Sequence, residues 1–323
     1  MISSDDPLFQ RYHSMLFKMN LSSALYTTLD IKSLIEYRNE INFSDKSIIV
    51  VNNKVPILGI IITEHTLDGN GIYFTAFGRP IFYFESSKIE NNIMNSARKK
   101  ITEYLGSLIK GKNFNLRYVD YLHNNHITQV SKILIEKGAV PKPFFSNVVN
   151  LNKSENFLWL DLRKRFRKNI KWSDKNMSTK IFTSKNCDMD LINQFKRCHI
   201  QAAGKQTRND RTWEIQHEQI MKDEAFLVAG LVNNEYVSFV FVNYLDRISY
   251  YYAGASDRDK FDKPINHKLI WDSILYSKEL GCDYFDLGEK LFTSSDKKLL
   301  GISQFKSGFT QNVVQRLEFI FQC

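Results

Sequence analysis

LVNNEYVSFVFV, residues 231 to 242, is the stretch on which the fold turns. Apolar residues flank an Asn-Asn pair, and asparagine tolerates the positive φ of a tight hairpin. The pattern occurs a second time, as VVNNKVPILGIII from 50 to 62. The segments after the two copies are also alike. After the first come GIYFTAF, an amphipathic helix over 87–110, and the strand FNLRYVDY. Ile89, Ile93, Ala97, Ile101, Leu105 and Leu108 carry that helix at helical spacing, and Gly111 ends it. After the second come RISYYYAG, a helix over 264–280 with Ile265, Leu269 and Ile274 inward, Gly281, and the strand CDYFDLG. Both halves read strand, strand, strand, helix, strand, which predicts two similar mixed α/β units from a duplication.

The divide is placed near residue 155, giving units 1–155 and 156–323. NVVNL (147–151) closes the first, NKSENF is a turn, and LWLDL (158–162) reads as a strand. A basic amphipathic helix is expected over 161–175, with Asp161 as its N-cap. Leu162, Phe166 and Ile170 form its apolar stripe, and seven Lys or Arg residues crowd the other faces.

The chain of 323 residues carries a formal net charge of +9. That charge permits an anionic partner such as a nucleotide, tRNA or an acidic membrane surface. Cys187, Cys198, Cys282 and Cys323 show no paired metal spacing, so no metal is expected, and a reduced, cytoplasmic setting is the expectation. MISSDDPLFQRYH does not read as a secretory signal, and no apolar run has the length of a membrane helix. There is no GxxxxGK[ST], HExxH or GxSxG motif, which argues against a P-loop enzyme, a zincin and a serine hydrolase.

Three segments carry candidate chemistry. In GISQFKSGF (301–309), Lys306 is set among Phe305 and Phe309. An ammonium held against aromatic rings is poorly solvated, and its charge acts strongly on a developing oxyanion. In HIQAAGKQTRNDRTWEIQ (199–216), Gly204 interrupts a helix before a dense polar loop. Lys205, Thr207, Arg208 and Arg211, with Trp213 opening the next helix, are candidate substrate-binding residues. ASDRDKFDKP (255–264) joins a strand to a helix, and Arg258 and Lys263 near the helix start suit an anion. Tyr252, Asp257 and Glu289 complete the candidate binding set. His267, near the start of the same helix, is a candidate general base.

The run YYAGASDRDKFDKPINHKLIWDSILYSKELGCDYFDLGE, followed by GISQFKSGF, resembles the C-terminal half of the FemA/FemB/FemX family, whose members are peptidyl transferases built from two GNAT-like domains. The resemblance spans roughly 157–317. It implies an α/β (mixed α+β) fold of two tandem GNAT-like domains, each a mixed sheet flanked by helices, with a cleft between them. It implies attack by an acceptor amine on an activated acyl carbonyl to give an amide. Lys306 falls on the lysine of the family's FK motif and would stabilise the oxyanion; Phe305 would orient it and line the acyl channel. The donor is an aminoacyl-tRNA in the family, and the acceptor a peptidoglycan precursor.

The chain departs from that pattern in two places. It lacks the long coiled-coil arm of several members. It also lacks the Q/R-x-x-G-x-G/A loop of acetyl-CoA-dependent GNAT enzymes, with SDRDKFDKP in its place. That favours aminoacyl-tRNA over acyl-CoA as donor, and no tightly bound cofactor is expected. A nucleotide-linked amino sugar or a muropeptide would serve as acceptor, and a peripheral association with the inner face of the membrane stays open. The rival reading is a non-catalytic GNAT-like protein that binds RNA or another anion.

Overall fold

The computed structural model describes residues 1–18, 42–66, 72–73, 82–86, 88–109, 114–120, 127–245, 247–260 and 263–322. The first part of the chain runs β1 (Ile2–Ser3), α1 (Phe9–Lys18), β2 (Asn42–Asp45), β3 (Ile48–Asn52), β4 (Val55–Ile61), β5 (Thr63–Thr66), β6 (Ile72–Tyr73), β7 (Phe82–Glu85), α2 (Asn91–Ile109), β8 (Phe114–Asp120), α3 (Gln129–Glu136) and β9 (Val140–Asn150). The rest runs α4 (Glu155–Asp161), α5 (Lys164–Asn176), β10 (Ser178–Phe182), α6 (Met189–Ala203), α7 (Asp210–Met221), β11 (Ala225–Val232), β12 (Glu235–Leu245), β13 (Ile248–Ser256), α8 (Ile265–Glu279), β14 (Tyr284–Glu289), α9 (Lys297–Lys306) and β15 (Val313–Gln322).

The described residues form two compact units: 1–18, 42–144 and 315–322 make one, and 145–314 the other. The divide, expected near residue 155, lies at 144/145 in this partition, because Ser146–Asn150 pair with β14. The chain end returns to the first unit, where Leu317–Gln322 pair with β8.

In the first unit, β1, β3, β4 and β7 form an antiparallel sheet in that order. Met94, Ala97, Ile101 and Leu105 of α2 bury into one core with Ile48, Ile57 and Ile60. The strand beside the hairpin is Phe82–Glu85. Of GIYFTAF, only Ile72–Tyr73 is described, and it pairs with β5 and β8; the rest, and Gly111, lie outside the described residues. The hairpin turn is at Asn53 and Lys54, with φ of 47° and 62°, one residue later than the Asn pair suggests.

In the second unit the strand order is β10-β11-β12-β13-β14-β9, antiparallel except for β13 and β14. Asn233 and Asn234 take φ of 52° and 65°, the turn that the opening stretch predicts. Both faces of the sheet are covered, so β11 and β12 are nearly continuous apolar runs. Leu227, Phe239 and Phe241 pack with Ile192, Phe195 and Trp213 of α6 and α7. Phe226, Val240 and Val242 pack with Ile170, Leu269 and Ile274 of α5 and α8. The longest helix among the described residues, α2, has 19 residues, and none of those residues forms a coiled-coil arm. No helix among them is long and apolar enough to cross a membrane.

LWLDL, read as a strand, is most of a helix. Ser154 caps it by accepting from Phe157 N at 3.3 Å, and Leu158 is buried within it. The expected single helix over 161–175 therefore begins at Lys164. Asp161 ends α4 instead of capping α5, and its carboxylate accepts from Thr310 Oγ1 at 2.8 Å and Gln311 N at 3.2 Å.

Candidate active site

The sheet opens at one place in the second unit. β13 and β14 pair only from Ile248–Tyr250 to Tyr284–Asp286. Beyond that, β13 runs on beside β12 to Ser256, while β14 runs beside β9 to Glu289 with a register shift between Asp286 and Gly288. Gly288 takes φ +87°, a conformation glycine adopts without Cβ strain, and its amide donates to Asp286 Oδ1 at 2.7 Å. The bulge carries β14 away from β13 and leaves a wedge between them.

Lys306, the last residue of α9, meets both sides of this wedge. Its Nζ lies 5.2 Å from the centroid of the Tyr251 ring on β13. It lies 3.2 Å from the point a Cβ on Gly288 would occupy. The residue keeps partial exposure along its length, but its ammonium is well buried, and burial lowers its pKa from the usual 10.5. Asp286 and then Glu289 oppose that shift, so the cation has two carboxylates in its field. Burial pushes the Tyr251 phenol up to about 12, keeping it protonated at neutral pH.

Short polar contacts fix α9. Leu291 N donates to Ser303 Oγ at 2.7 Å, and Lys290 Nζ donates to Ser307 Oγ at 2.8 Å. Ser307 Oγ lies 3.0 Å from Asn147 Oδ1, its acceptor on β9. Ser303 and Ser307 are one turn apart, so a single face of the helix is tied to the strand end that bears Gly288. The glycine of FKSGF has its own reason: a Cβ on Gly308 would stand 2.1 Å from the Phe166 ring of α5. Arg163 N donates to Gly308 O at 2.9 Å and ties the same two segments.

Phe305 sits among rings. Phe166, His267, Phe305 and Phe309 are all mutual neighbours, with centroid distances from 4.4 to 6.3 Å. His267 belongs to this cluster. Asn169 Nδ2 donates to its Nε2 at 2.9 Å, and its Nδ1–H donates to Pro264 O at 3.2 Å. Burial, more than the nearby Arg165, lowers its pKa to about 4. Both nitrogens are thus engaged, and the ring serves the packing that holds Phe305.

The predicted binding residues fall into separate groups. Glu289 stands exposed at the end of β14, close enough to act on Lys306. Tyr252 packs with the α6–α7 core, whereas Tyr251 packs with the α8 core, so the two occupy opposite faces of β13. The Arg208 guanidinium lies 5.3 Å from the Trp213 ring and 5.9 Å from the Tyr252 ring. His199, 5.3 Å from Trp213, has a pKa lowered to about 4 by burial and then by Arg208. Arg208, Trp213 and Tyr252 are therefore brought together, on the face away from Lys306's partner Tyr251.

Arg211 pairs with Glu214 at 2.6 Å and Glu218 at 2.9 Å on the exposed side of α7. Arg258 donates through Nε and Nη2 to Ala202 O, at 2.9 and 2.7 Å, and so caps α6. Asp257 accepts from Lys260 at 3.1 Å. Lys205 is exposed, Thr207 half-buried, and Lys263 exposed ahead of α8. Residues 261 and 262 of the expected anion loop lie outside the described residues.

Sequence reading missed Tyr251, Asp286, Gly288 and Asn147 as parts of the site. The FDLGE motif held the signal for two of them. A glycine that ends an apolar strand points to a bulge or a close approach.

The second unit, with its splayed parallel pair and the helix α8 between β13 and β14, has a GNAT-like architecture, and the fold is that of two tandem GNAT-like units. The crystal structure of FemX superposes with a TM-score of 0.68 at 12% identity, over 97% of this chain and 96% of that one. L-PGS from Bacillus licheniformis matches with a TM-score of 0.61 at 11% identity, over 99% and 92%. The C-terminal domain of a putative lysylphosphatidylglycerol synthetase from Agrobacterium fabrum matches with a TM-score of 0.60 at 8% identity, over 96% and 91%. No protein-family model and no curated protein sequence matches.

Proposed function

We propose that this protein is an acyl or aminoacyl transferase that forms an amide on an amine of a cell-envelope or surface-glycan precursor in the cytoplasm. The observation that carries the reading is the placement of the Lys306 ammonium. It is buried at the splay of β13 and β14, against Tyr251 and the bare Cα of Gly288. The likeness to FemX and L-PGS supports the same class.

The acceptor amine attacks the acyl carbonyl carbon, and the C=O electron pair moves to oxygen. The Lys306 ammonium faces that oxygen and stabilises its charge while the tetrahedral species exists. The pair returns, the C–O bond to a tRNA ribose or the C–S bond to a thiol breaks, and the amide remains. The proton lost by the amine goes to the leaving oxygen or sulfur, since both His267 nitrogens are already engaged. Phe305 is held by its ring cluster to wall the acyl path. The half-buried Arg208 guanidinium, set against Tyr252 and the buried Trp213 ring, offers a cation suited to a phosphate or carboxylate of a substrate.

The test is incubation with charged tRNA and with acyl-CoAs, each against a panel of nucleotide-linked amino sugars and muropeptide precursors. Mass gain of one acyl group on one acceptor is the expected result. Salt-dependent RNA binding with no product on any acceptor would replace this reading with a non-catalytic one.

A further inference from the structure

The second unit presents apolar side chains outward beside a band of cations. On α4, Phe157 and Leu160 are 52% and 58% exposed. On α9, Leu299 and Ile302 are 50% and 44% exposed. These side chains cannot simply turn inward, because their helices are pinned. Leu158 is buried, and the Trp159 ring packs edge-on against Trp271 at 5.4 Å. Arg167 Nη1 donates to the carbonyls of Leu160 and Leu162, at 2.8 and 3.1 Å, and fastens α4 to α5. Arg163 Nη2 reaches Gln304 O at 3.4 Å and links the start of α5 to α9.

The surrounding charge is positive. Lys153 Nζ lies 5.4 Å from the Phe157 ring centroid. Lys164, Lys168 and Lys171 stand exposed on α5, and Lys297 and Lys298 open α9. The nearby acids are largely committed. Asp161 accepts from Thr310 and Gln311, Asp296 caps α9, and Asp174 pairs with Lys268 at 2.9 Å, leaving Glu155 as an exposed acid on α4.

We infer that this face docks on an anionic lipid bilayer, with Phe157, Leu160, Leu299 and Ile302 entering the headgroup boundary and the α5 lysines facing anionic headgroups. Exposed aliphatic side chains within a basic rim fit a lipid interface. They suit RNA poorly, since leucine and isoleucine offer no ring on which a base stacks. The inference goes beyond the transferase reading and does not depend on it, although α9 carries both the outward apolar pair and Lys306.

The test is co-sedimentation of the full chain with vesicles of phosphatidylcholine alone, or of phosphatidylcholine with phosphatidylglycerol. Binding is expected only to the second. Phe157→Glu/Leu160→Glu lowers vesicle partition at least tenfold, as does Leu299→Glu/Ile302→Glu on the separate helix. Replacing Lys164, Lys168 and Lys171 by alanine lowers it about fivefold per charge. Melting temperature and turnover of a soluble acceptor without vesicles stay unchanged in Phe157→Glu/Leu160→Glu, so failure here is distinct from failure of the transferase reading. Three results overturn the inference: no binding to anionic vesicles, wild-type binding by both double variants, or displacement by uncharged tRNA whose own binding depends on the same apolar residues.

Discussion

Replacing Lys306 by methionine keeps most of the unbranched side chain and removes its charge. An ammonium about 3 Å from a full oxyanion contributes roughly 5 kcal/mol at an effective dielectric near 20. The carbonyl oxygen of the ground state already carries part of that charge, and only the difference lowers the barrier. The expected loss is about 2–4 kcal/mol, or roughly 30- to 1000-fold in kcat. Lys306→Arg recovers little, because the ammonium already sits against Gly288 and the Tyr251 ring, where a bulkier planar guanidinium would have to displace them. Single-turnover kinetics with product detected by mass would measure the effect, with circular dichroism confirming the fold. The pH dependence adds a second reading. Burial lowers the Lys306 pKa below 10.5, so activity falls as pH rises through that lowered value. Stability moves the other way: the unfolded chain holds the proton more tightly, so the cost of burying the charge is relieved between the folded pKa and 10.5. Lys306→Met abolishes both trends. A kcat within about threefold of wild type would remove the lysine from the mechanism, since any oxyanion donor is worth more than that.

Gly288→Ala puts a Cβ at φ +87°, 3.2 Å from Lys306 Nζ and 3.4 Å from Tyr250 Oη. It costs about 1–2 kcal/mol in urea-melt stability, and kcat falls further than that loss explains because the ammonium is displaced. Gly308→Ala drives a methyl into Phe166 and destabilises by about 1–3 kcal/mol; Phe166→Leu in the same chain restores part of the melting temperature, which a solvent-facing Gly308 would not show. His267, with a folded pKa of about 4 against 6.5, is neutral in the native state, so its stabilising contribution is present above pH 6.5 and is lost as pH falls toward 4. The stability gap between wild type and His267→Gln narrows over that window in chemical denaturation, and a gap constant with pH would contradict the buried, neutral ring.

How much of this was legible depended on how local each cause is. The hairpin at Asn233–Asn234 could be read because the turn chemistry and the apolar runs lie within twelve residues. LWLDL could not, because its leucines alternate like a strand while Leu158 and Leu162 are also one helical turn apart. Only the cap at Ser154, a hydrogen bond between neighbours that sequence does not display, decides between the two periods. The motif draws the eye to Lys306 but says nothing of the side chains around it. Tyr251 and Gly288 belong to two strands that meet it only after the sheet has opened. His267 shows the converse. In sequence it is a polar residue near a helix start, and its three ring neighbours, Phe166, Phe305 and Phe309, come from two distant segments.

The same logic explains why the chemistry is assigned to one unit of a repeated design. Both units begin from an apolar hairpin closed by left-handed turn residues and pack a long helix against it. That much supplies a frame, and a frame alone has no charge to offer a reacting carbonyl. The second unit adds a bulge at Gly288 that parts two strands, a helix whose serines fasten it to the bulged strand, and a lysine at that helix's last turn. Each addition is needed for the next. Without the bulge there is no bare Cα for the ammonium to approach; without Ser303 and Ser307 the helix end is free to drift. An unfastened Lys306 would swing into water, where its charge is screened. The catalytic proposal therefore requires that Ser303→Ala/Ser307→Ala, which leaves Lys306 itself intact, lowers kcat while raising the folded pKa of the lysine toward 10.5, a shift readable in the alkaline limb of the rate profile.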